Sequence, residues 1–424
     1  MMAKEPNPIK RGLGILGPGF ITGASDDDPS GVGTYAVAGA SLGYAMLWTT
    51  IISLPMMVAT QFIAAKIGQV TGMGLAGVLR RHYARAVVYP AILGLVIVNT
   101  INAGVDIGAI GSALNLLVPI PAAAMIIPIT LTILVLEVWG SYRLIATVFK
   151  LMTVSFFAYI AAAILAKPDL AAVLKGTLIP TLQYTGGYLA TIVALFGTTI
   201  SPYMWFWQAS QEVEERIALG HTRLWQRRGT TETELKYAAW DVNIGMLFSN
   251  LIAYFIILAT AATLFRAGKT DIQSAAGAAE ALRPFAGNAA GTLFALGLLG
   301  SGFLAVPVLS SSAAYALAEV LGWKHGLDQK PRKATPFYIT LTIATLVGML
   351  INFAGINPID GLFWTAVLNG FLTPPLLVLL MLISNNRKIM GDRVNGPAAN
   401  VVGWVTTATM AAAAAALAAT WWKP

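Results

Sequence analysis

The chain has 424 residues, of which 57% are hydrophobic and 11% charged, with a net charge of +8 and no cysteine. Soluble domains carry about 25% charged residues, and the same composition excludes a disordered chain and a disulfide-stapled secreted fold. Nucleic-acid binding would need the basic residues on one folded face, whereas here they lie in short segments between apolar runs. We therefore predict a polytopic membrane protein with no nucleic-acid partner.

Apolar segments long enough to span a bilayer recur along the whole chain. A transmembrane helix needs about 20 mostly apolar residues, whereas transmembrane β-strands alternate apolar and polar residues over about ten positions. The segments are apolar on every face, so the predicted fold class is an all-α polytopic membrane protein of about eleven helices. The predicted spans are 13–42, 45–66, 87–117, 121–139, 144–166, 184–211, 238–264, 289–320, 337–354, 361–384 and 398–421.

Lys and Arg residues predict the orientation, because basic residues favour cytoplasmic loops. With an odd number of spans and a cytoplasmic N-terminus, most of them fall in the inner segments. We expect a multi-pass protein of the plasma (inner) membrane, with its N-terminus cytoplasmic, its C-terminus extracellular and no cleavable signal peptide. The inner segment 211–237 is predicted to be a solvated connector.

Acidic residues inside the predicted spans mark candidate functional positions, because a charge near the bilayer centre is costly unless it is paired or hydrated. The first span is exceptional, since it contains three consecutive aspartates and the motif Asp28-Pro29-Ser30-Gly31. Proline and glycine predict that the helix unwinds here, which is tolerated only where the backbone is buried in protein or lines a watery cavity. The acidic residues of the spans are Asp26, Asp27, Asp28, Asp106, Glu137, Asp241 and Glu319.

A second interruption of the same kind lies in the sixth span, at residues 195–203. Its Pro202 and the earlier Pro29 occupy corresponding places in two successive five-helix blocks. Paired interruptions in matching halves indicate the central site of a transporter, where freed carbonyls and acidic side chains coordinate a cation. Thr198 and Ser201 have an alternative role, in which each hydroxyl bonds to its own helix.

Together these motifs resemble the NRAMP family of divalent-metal transporters, which have two inverted five-helix repeats with broken first and sixth helices, as in sodium-coupled amino-acid transporters. The likeness covers most of the chain. It implies a cytoplasmic N-terminus (1–12), a first repeat (13–166), an extracellular loop (167–183), a second repeat (184–384) and a peripheral eleventh helix (398–421). The motifs that carry the likeness are residues 28–31, 174–176, 241–247, 298–302 and 387–391.

The resemblance implies a metal site between the two interruptions. The family's manganese and iron carriers use the first-helix Asp and Asn together with an Ala carbonyl and a Met thioether of the sixth helix. Here Asp28 is kept, whereas Gly31, Thr198 and Ser201 stand at the Asn, Ala and Met positions. Oxygen ligands without sulfur favour Mg²⁺, which usually keeps several waters. We therefore expect a site similar to that of the NRAMP-related magnesium transporters, with alternating access and Mn²⁺ as a second substrate.

Other polar residues near the interruptions are secondary candidates. Ser30 belongs to the first-span motif, and Tyr203 stands where the manganese and iron carriers have a histidine. Asp27 comes directly before Asp28 and would point to another face of a helix. Asn369 lies in the tenth span, close to the position of a glutamine in the manganese and iron carriers.

A proton pathway is not expected. The manganese and iron carriers couple metal entry to protons through the sixth-helix His and an Asp-x-x-Glu pair of the third helix. Tyr203 replaces the His, and Asp106 is the only acid that remains in the third span. We expect passive transport, driven by the gradient of the ion and by the membrane potential.

Three alternatives stay open on the sequence. A proton-coupled manganese or iron transporter is the nearest. A sodium-coupled amino-acid transporter would place a substrate carboxylate beside Asp28, which would repel it. An integral-membrane enzyme would need a catalytic constellation that the spans do not contain. We expect no enzymatic activity, no cofactor and no obligate protein partner, only divalent ions and the lipid bilayer; Glu137 is expected to pair with Lys150 of the next span.

Overall fold

The computed structural model describes residues 17–139, 156–270, 272, 275–355 and 358–421. These residues form α-helices joined by short turns, with no β-strand among them. The helices are α1 (Pro18–Asp26), α2 (Pro29–Leu42), α3 (Trp48–Thr71), α4 (Leu75–His82), α5 (Arg85–Leu117), α6 (Ala122–Trp139), α7 (Phe157–Leu165), α8 (Leu170–Leu178), α9 (Gly186–Thr199), α10 (Pro202–Ala218), α11 (Leu224–Arg227), α12 (Glu232–Thr260), α13 (Ala275–Leu321), α14 (Thr335–Ile351), α15 (Pro358–Ser384), α16 (Arg387–Met390) and α17 (Pro397–Trp421).

The predicted all-α membrane fold is confirmed. Within the described residues, 8 helical segments are long and apolar enough to cross a membrane. The first predicted span is divided between α1 and α2, the fifth lies partly outside the described residues, and the ninth is the shorter helix α14, with 17 residues. The eleven predicted spans therefore all overlap helices that the structure describes.

The broken helices lie at the centre of the bundle. The helix α1 packs chiefly on α12, α9 packs on α15, and α5 packs along α13. Aromatic side chains fill the space around them, with Tyr35, Tyr203, Trp205 and Trp207 almost completely buried. A third of the most apolar stretch of α17 is buried in the protein.

The prediction of a solvated connector at 211–237 is wrong in its first part. The helix α10 continues to Ala218 and buries Gln211, Glu212 and Glu214 against neighbouring helices. The exposed connector begins only after this helix. The charged residues of this segment predicted exposure to solvent, but the polar face of α10 is directed into the protein.

Glycines bring α1 and α12 into backbone contact. A Cβ atom on Gly23 would lie 2.2 Å from the carbonyl oxygen of Gly245, and one on Gly245 would lie 2.3 Å from the carbonyl oxygen of Gly19. Small residues permit such close approach of membrane helices. These contacts give a structural reason for Gly245 in the motif 241–247.

We predict that Gly23→Ala lowers the thermal stability of the protein in detergent, because the added methyl group would clash with backbone that cannot rotate away. Overpacking of this kind costs about 1–3 kcal/mol or more. The matched control is Gly187→Ala, since a Cβ there has no atom within 4 Å. Equal unfolding temperatures for the two variants, measured by fluorescence-detected size exclusion after heating, would contradict the prediction.

Candidate ion-binding site

Two helix interruptions face each other inside the bundle, as the sequence predicts. The first separates α1 from α2 at Asp27 and Asp28, and the second separates α9 from α10 at Ile200 and Ser201. A proline is the first residue of the helix that follows each interruption, Pro29 in α2 and Pro202 in α10. Proline suits this position because the missing N–H would have no helical partner there.

Asp28 is the N-cap of α2. Its Oδ1 accepts hydrogen bonds from the Gly31 amide at 2.6 Å and from the Ser30 hydroxyl at 2.8 Å. Its Oδ2 accepts one from Asn102 Nδ2 at 2.8 Å. A carboxylate oxygen has two lone-pair sites, so these bonds fix the orientation of Asp28 and still leave it able to contact an ion or its waters.

Three oxygen atoms converge on the space that a side chain at position 31 would occupy. A Cβ atom on Gly31 would lie 3.0 Å from Thr198 Oγ1, 3.1 Å from the Asp26 carbonyl oxygen and 3.2 Å from Asp28 Oδ1, its three nearest atoms. The fold thus brings together Asp28, Gly31 and Thr198, which the sequence analysis selected. It adds the Asp26 carbonyl, which that analysis did not select.

Ser201 and Tyr203 are buried at the second interruption but make backbone contacts. The Ser201 hydroxyl is 2.7 Å from the Gly197 carbonyl and 2.9 Å from the Thr198 carbonyl, so its hydrogen is used by its own helix. The Tyr203 hydroxyl donates to the Ser25 carbonyl at 2.7 Å and therefore joins α10 to the end of α1.

The helix α15 forms another wall of the site. A Cβ on Gly197 would lie 2.5 Å from the Gly370 amide nitrogen, so α15 touches the end of α9. The Thr373 hydroxyl lies 3.2 Å from the Ile200 carbonyl oxygen and 2.7 Å from the Asn369 carbonyl oxygen of its own helix. The neighbouring Asn369 is buried, and its Oδ1 has no hydrogen-bond partner. This residue can supply one more oxygen to an ion or its water shell.

Two of the three consecutive aspartates, Asp26 and Asp28, contact different helices, as expected for different faces of a helix. Asp26 Oδ2 accepts a hydrogen bond from Ser249 of α12 at 2.6 Å, whereas Asp28 faces Asn102 of α5. Both carboxylate oxygens of Asp27 lack a partner. Among the described residues, no group of three or more His, Cys, Asp or Glu side chains converges on one point. A cation here would be held by few side chains together with backbone oxygens and water.

The charge of this region is uncompensated. Asp26, Asp27, Asp28 and Asp106 are each at most 1% exposed. Ion pairs in the described part of the chain involve only the cations Arg216, His325 and Arg393, and their partners are Glu234, Glu319 and Glu232. Buried charges without a partner are strongly unfavourable. Each of these carboxyl groups must therefore hold a proton or contact a cation.

A run of polar side chains, here termed the polar ladder, closes the bundle between the site and the end where α1 begins. Gln208 Oε1 accepts from Thr22 of α1 at 2.7 Å and from Gln61 of α3 at 3.1 Å. Glu212 accepts from Gln208 at 2.8 Å and from Gln69 at 2.8 Å. A cavity of about 200 Å³ adjoins the last two residues. Separation of α1 from α10 would break the ladder and connect the site with this cavity.

Asp241 of α12 caps the N-terminus of α1. Its carboxylate accepts backbone hydrogen bonds from Gly17 at 2.7 Å, Gly19 at 2.6 Å and Phe20 at 3.2 Å. A negative charge at a helix N-terminus is favourable because it satisfies free N–H groups and complements the helix dipole. This acid of the seventh span thus has a structural partner in α1.

The remaining acids lie away from the interruptions. Ser310 of α13 donates its hydroxyl to Glu137, while Lys150, the predicted partner of Glu137, lies outside the described residues. Glu319 accepts from Ser210 at 3.0 Å and from the Gly77 amide at 2.9 Å. Neither residue supplies one of the three atoms nearest to a Cβ at Gly31.

Asn102 and Asp106 form the α5 side of the site. Asp106 Oδ1 accepts from the Ser30 amide at 3.0 Å, and its Oδ2 has no partner. Sequence reasoning overlooked Asn102, although an amide in the middle of an apolar span, one helical turn before Asp106, is a usable signal. Ser249 gave no comparable signal, since hydroxyls commonly bond within membrane helices.

These features define a multi-pass membrane transporter with two interrupted helices around an oxygen-rich, negatively charged site. The family described as natural resistance-associated macrophage protein-like matches residues 19–420. The chain belongs to this family, NRAMP, as its motifs indicated.

Solved structures agree with this fold. One is a manganese transporter of Eremococcus coleocola in complex with an aromatic bis-isothiourea substituted compound, with a TM-score of 0.75 at 20% identity. The match covers 97% of this chain and 87% of the transporter chain. Mhp1, a nucleobase-cation-symport-1 family transporter, matches with a TM-score of 0.55 at 13% identity. The match covers 96% of this chain and 93% of the Mhp1 chain. A Na⁺-coupled sialic acid symporter matches with a TM-score of 0.52 at 11% identity. The match covers 96% of this chain and 97% of the symporter chain.

We predict that Asp241→Ala lowers the unfolding temperature of the detergent-solubilised protein, because three amides of α1 lose their acceptor. Loss of a helix cap costs about 0.5–2 kcal/mol. Asn243→Ala is the control, since exposed Asn243 bonds only within α12, to the Ala239 carbonyl at 2.6 Å. A decrease for Asn243→Ala as large as that for Asp241→Ala would refute the capping role.

Proposed function

We propose that the protein is a passive transporter of Mg²⁺, with Mn²⁺ as a second substrate, that works by alternating access. One observation carries this proposal: the three atoms nearest to the missing side chain of Gly31 are all oxygens, from Thr198, Asp26 and Asp28. Carboxylate, carbonyl and hydroxyl oxygens suit Mg²⁺, while thioethers favour transition metals.

The small number of protein donors around Gly31 supports an ion that keeps part of its water shell. Magnesium demands short, nearly octahedral contacts and loses water reluctantly. Few protein oxygens are available, and Asp28 is already held by three hydrogen bonds. Water ligands would complete the shell and in turn bond to Thr198, Asn369 and Ser201. Asp28 supplies formal charge next to the ion.

The energy for uptake would come from the ion gradient and the membrane potential. For a double charge, an inside-negative potential is worth about 4.6 kcal/mol per 100 mV. The distribution of basic residues supports a cytoplasmic N-terminus. In that orientation the polar ladder lies on the cytoplasmic side, and its opening would release the ion inwards.

A proton-coupled Mn²⁺ or Fe²⁺ transporter is the second candidate. Two observations favour it: the structural similarity to the Eremococcus coleocola manganese transporter and the unpartnered Oδ2 of Asp106. The absence of an imidazole at position 203 and of a second acid in the third span opposes it. The two candidates differ in whether protons move with the metal.

The test is ion uptake into proteoliposomes, with Mg²⁺, Mn²⁺ and internal pH followed by separate dyes. We predict saturable Mg²⁺ uptake, no accompanying acidification and little change with external pH. Asp28→Ala should reduce uptake at least about tenfold, since a charged ligand is removed. The matched control is Asp169→Ala, an exposed aspartate that caps the outer helix α8. Mn²⁺ uptake with acidification, and without Mg²⁺ uptake, would overturn the proposal.

A second prediction concerns selectivity. Gly31→Asn places a side chain in the space on which the three oxygens converge, where a Cβ would already be 3.0 Å from Thr198 Oγ1. Less room for water should lower Mg²⁺ uptake about tenfold, the scale of one lost contact to a metal or its shell, and leave Mn²⁺ uptake less affected. Gly187→Asn, in open space, is the control. An unchanged ratio of Mg²⁺ to Mn²⁺ uptake would argue against a hydrated ion at this place.

A further inference from the structure

The helix α5 carries three buried polar side chains in a largely apolar stretch, Asn99, Asn102 and Asp106. They occupy positions i, i+3 and i+7, so they lie on one face of the helix over about 10 Å of its length. Each of them is at most 1% exposed. Amide and carboxyl groups buried in this way need hydrogen-bond partners.

Each asparagine of this face has one of its two polar atoms bonded to a neighbouring element. Asn99 Nδ2 donates to the Leu309 carbonyl of α13 at 3.4 Å, and Asn102 Nδ2 donates to Asp28 Oδ2 at 2.8 Å. The amide oxygens, Oδ1 of both residues, are buried and have no hydrogen-bond donor. An amide oxygen only accepts hydrogen bonds, so both atoms need a donor whatever the charge of the surrounding aspartates.

Asp106 has a similar arrangement one helical turn after Asn102. Its Oδ1 accepts from the Ser30 amide at 3.0 Å, while its Oδ2 has no partner. The Ser30 hydroxyl in turn donates to Asp28 Oδ1 at 2.8 Å, so a short chain of contacts connects Asp106 with the proposed ion position. Asn99 Oδ1, Asn102 Oδ1 and Asp106 Oδ2, here termed the α5 acceptors, are thus three oxygens without donors on one helix face.

Covalent geometry limits the distance between Asn102 Oδ1 and Asp28. The oxygen and nitrogen of one amide group are bonded to the same carbon and lie about 2.3 Å apart, and this nitrogen is 2.8 Å from Asp28 Oδ2. Asn102 Oδ1 is therefore within about 5 Å of that carboxylate oxygen. A metal-oxygen contact of about 2.1 Å followed by a hydrogen bond of about 2.8 Å spans this distance. An ion beside Asp28 can thus place one of its waters against Asn102 Oδ1.

Water that is bound to a cation acts as a hydrogen-bond donor. Its oxygen is directed at the ion and its hydrogens point outwards, and Mg²⁺ usually keeps several such waters. A surface that binds a hydrated cation must therefore offer acceptors. The α5 acceptors meet this requirement, because the amide nitrogens of both asparagines are already used within the protein.

We propose that the α5 acceptors bind the waters of the transported cation rather than the ion itself. Asn102 accepts from a water of the ion that Asp28 holds. Asn99 and Asp106, one helical turn to either side, accept from its waters as it approaches and leaves that position. The α5 acceptors therefore extend the site along the helix and favour a cation that keeps its waters. This inference rests on the proposed function and names what recognises the water shell.

The probe for the test is hexaamminecobalt(III), a cation similar in size to hydrated Mg²⁺. Its ammine groups donate hydrogen bonds and do not exchange, so it binds only to acceptors outside its own shell. We expect it to inhibit Mg²⁺ uptake into proteoliposomes competitively in the wild type. The inhibition constant is then compared between variants of the full-length chain that elute as the wild type does in size exclusion.

Two variants each remove one of the α5 acceptors. Asp106→Asn can keep an oxygen for the Ser30 amide and then places an N–H donor where Oδ2 lies. Asn99→Leu removes an acceptor without a change of charge, so agreement between the two variants separates the loss of an acceptor from the loss of a charge. Each should raise the inhibition constant about tenfold, the scale of one lost partner of a metal or its shell.

The matched control is Thr100→Val on the same helix. The Thr100 hydroxyl bonds to the Val96 carbonyl of α5 at 2.7 Å, so its removal leaves the α5 acceptors unchanged. We expect the inhibition constant of the wild type for this variant. Inhibition constants for Asn99→Leu and Asp106→Asn equal to that of Thr100→Val would overturn the inference, as would Mg²⁺ uptake by the wild type that hexaamminecobalt(III) does not inhibit.

Failure of this inference and failure of the proposed function give different results. If the proposed function fails, Mg²⁺ uptake is absent and Mn²⁺ enters with acidification, whatever the effect of hexaamminecobalt(III). If only the role of the α5 acceptors fails, Mg²⁺ uptake without acidification persists, and the variants of α5 respond to the probe as the wild type does.

Discussion

The architecture depends on one constraint: backbone groups released where two helices end inside the bundle must find partners there, because the interior supplies no bulk water. Asp28 accepts from the Gly31 amide, Tyr203 donates to the Ser25 carbonyl, and the Thr373 hydroxyl, which also bonds within α15, lies 3.2 Å from the Ile200 carbonyl. These partners lie in the other interrupted helix, in α15 or in the same interruption. The first role of the polar atoms of the site is therefore to form hydrogen bonds with the backbone groups at the helix ends.

This constraint explains why the ion site contains so few free side chains. Ser201 bonds to its own helix, Tyr203 bonds to α1, and Asp28 is saturated on the side of its helix cap. Away from α5, the oxygens that stay available are one backbone carbonyl, the Thr198 hydroxyl, the Asn369 amide oxygen and one lone pair of Asp28 Oδ2. On the proposed function, an ion here would be recognised by its charge and by the geometry of its waters more than by a full set of protein ligands.

The part of this arrangement that depends on local sequence could be predicted. Proline and glycine mark both interruptions, and the spacing of three aspartates predicts that they point to different helices. The N-cap role of Asp28 could also be predicted, since Asp before Pro is a common helix start. It was overlooked because an aspartate in a membrane span was interpreted as a ligand.

The rest depends on contacts between distant parts of the chain. Asn102 and Asp28 are 74 positions apart, and Asp241 and Gly19 are 222 apart. No pattern in either segment specifies that pairing, because it follows from which helix faces meet. Burial of Glu212 and Gln211 was missed for the same reason, since a polar helix face is ordinarily directed towards solvent.

The missing side chain at position 31 has a kinetic consequence. Removal of tightly held water is the slow step when Mg²⁺ enters a site that must strip it. If the ion passes with its waters, as proposed, this step is absent from the transport cycle, so the movement of α1 and α10 would limit the turnover number. Ions that exchange water at very different speeds would then cross with similar maximal velocities and differ chiefly in their apparent affinity.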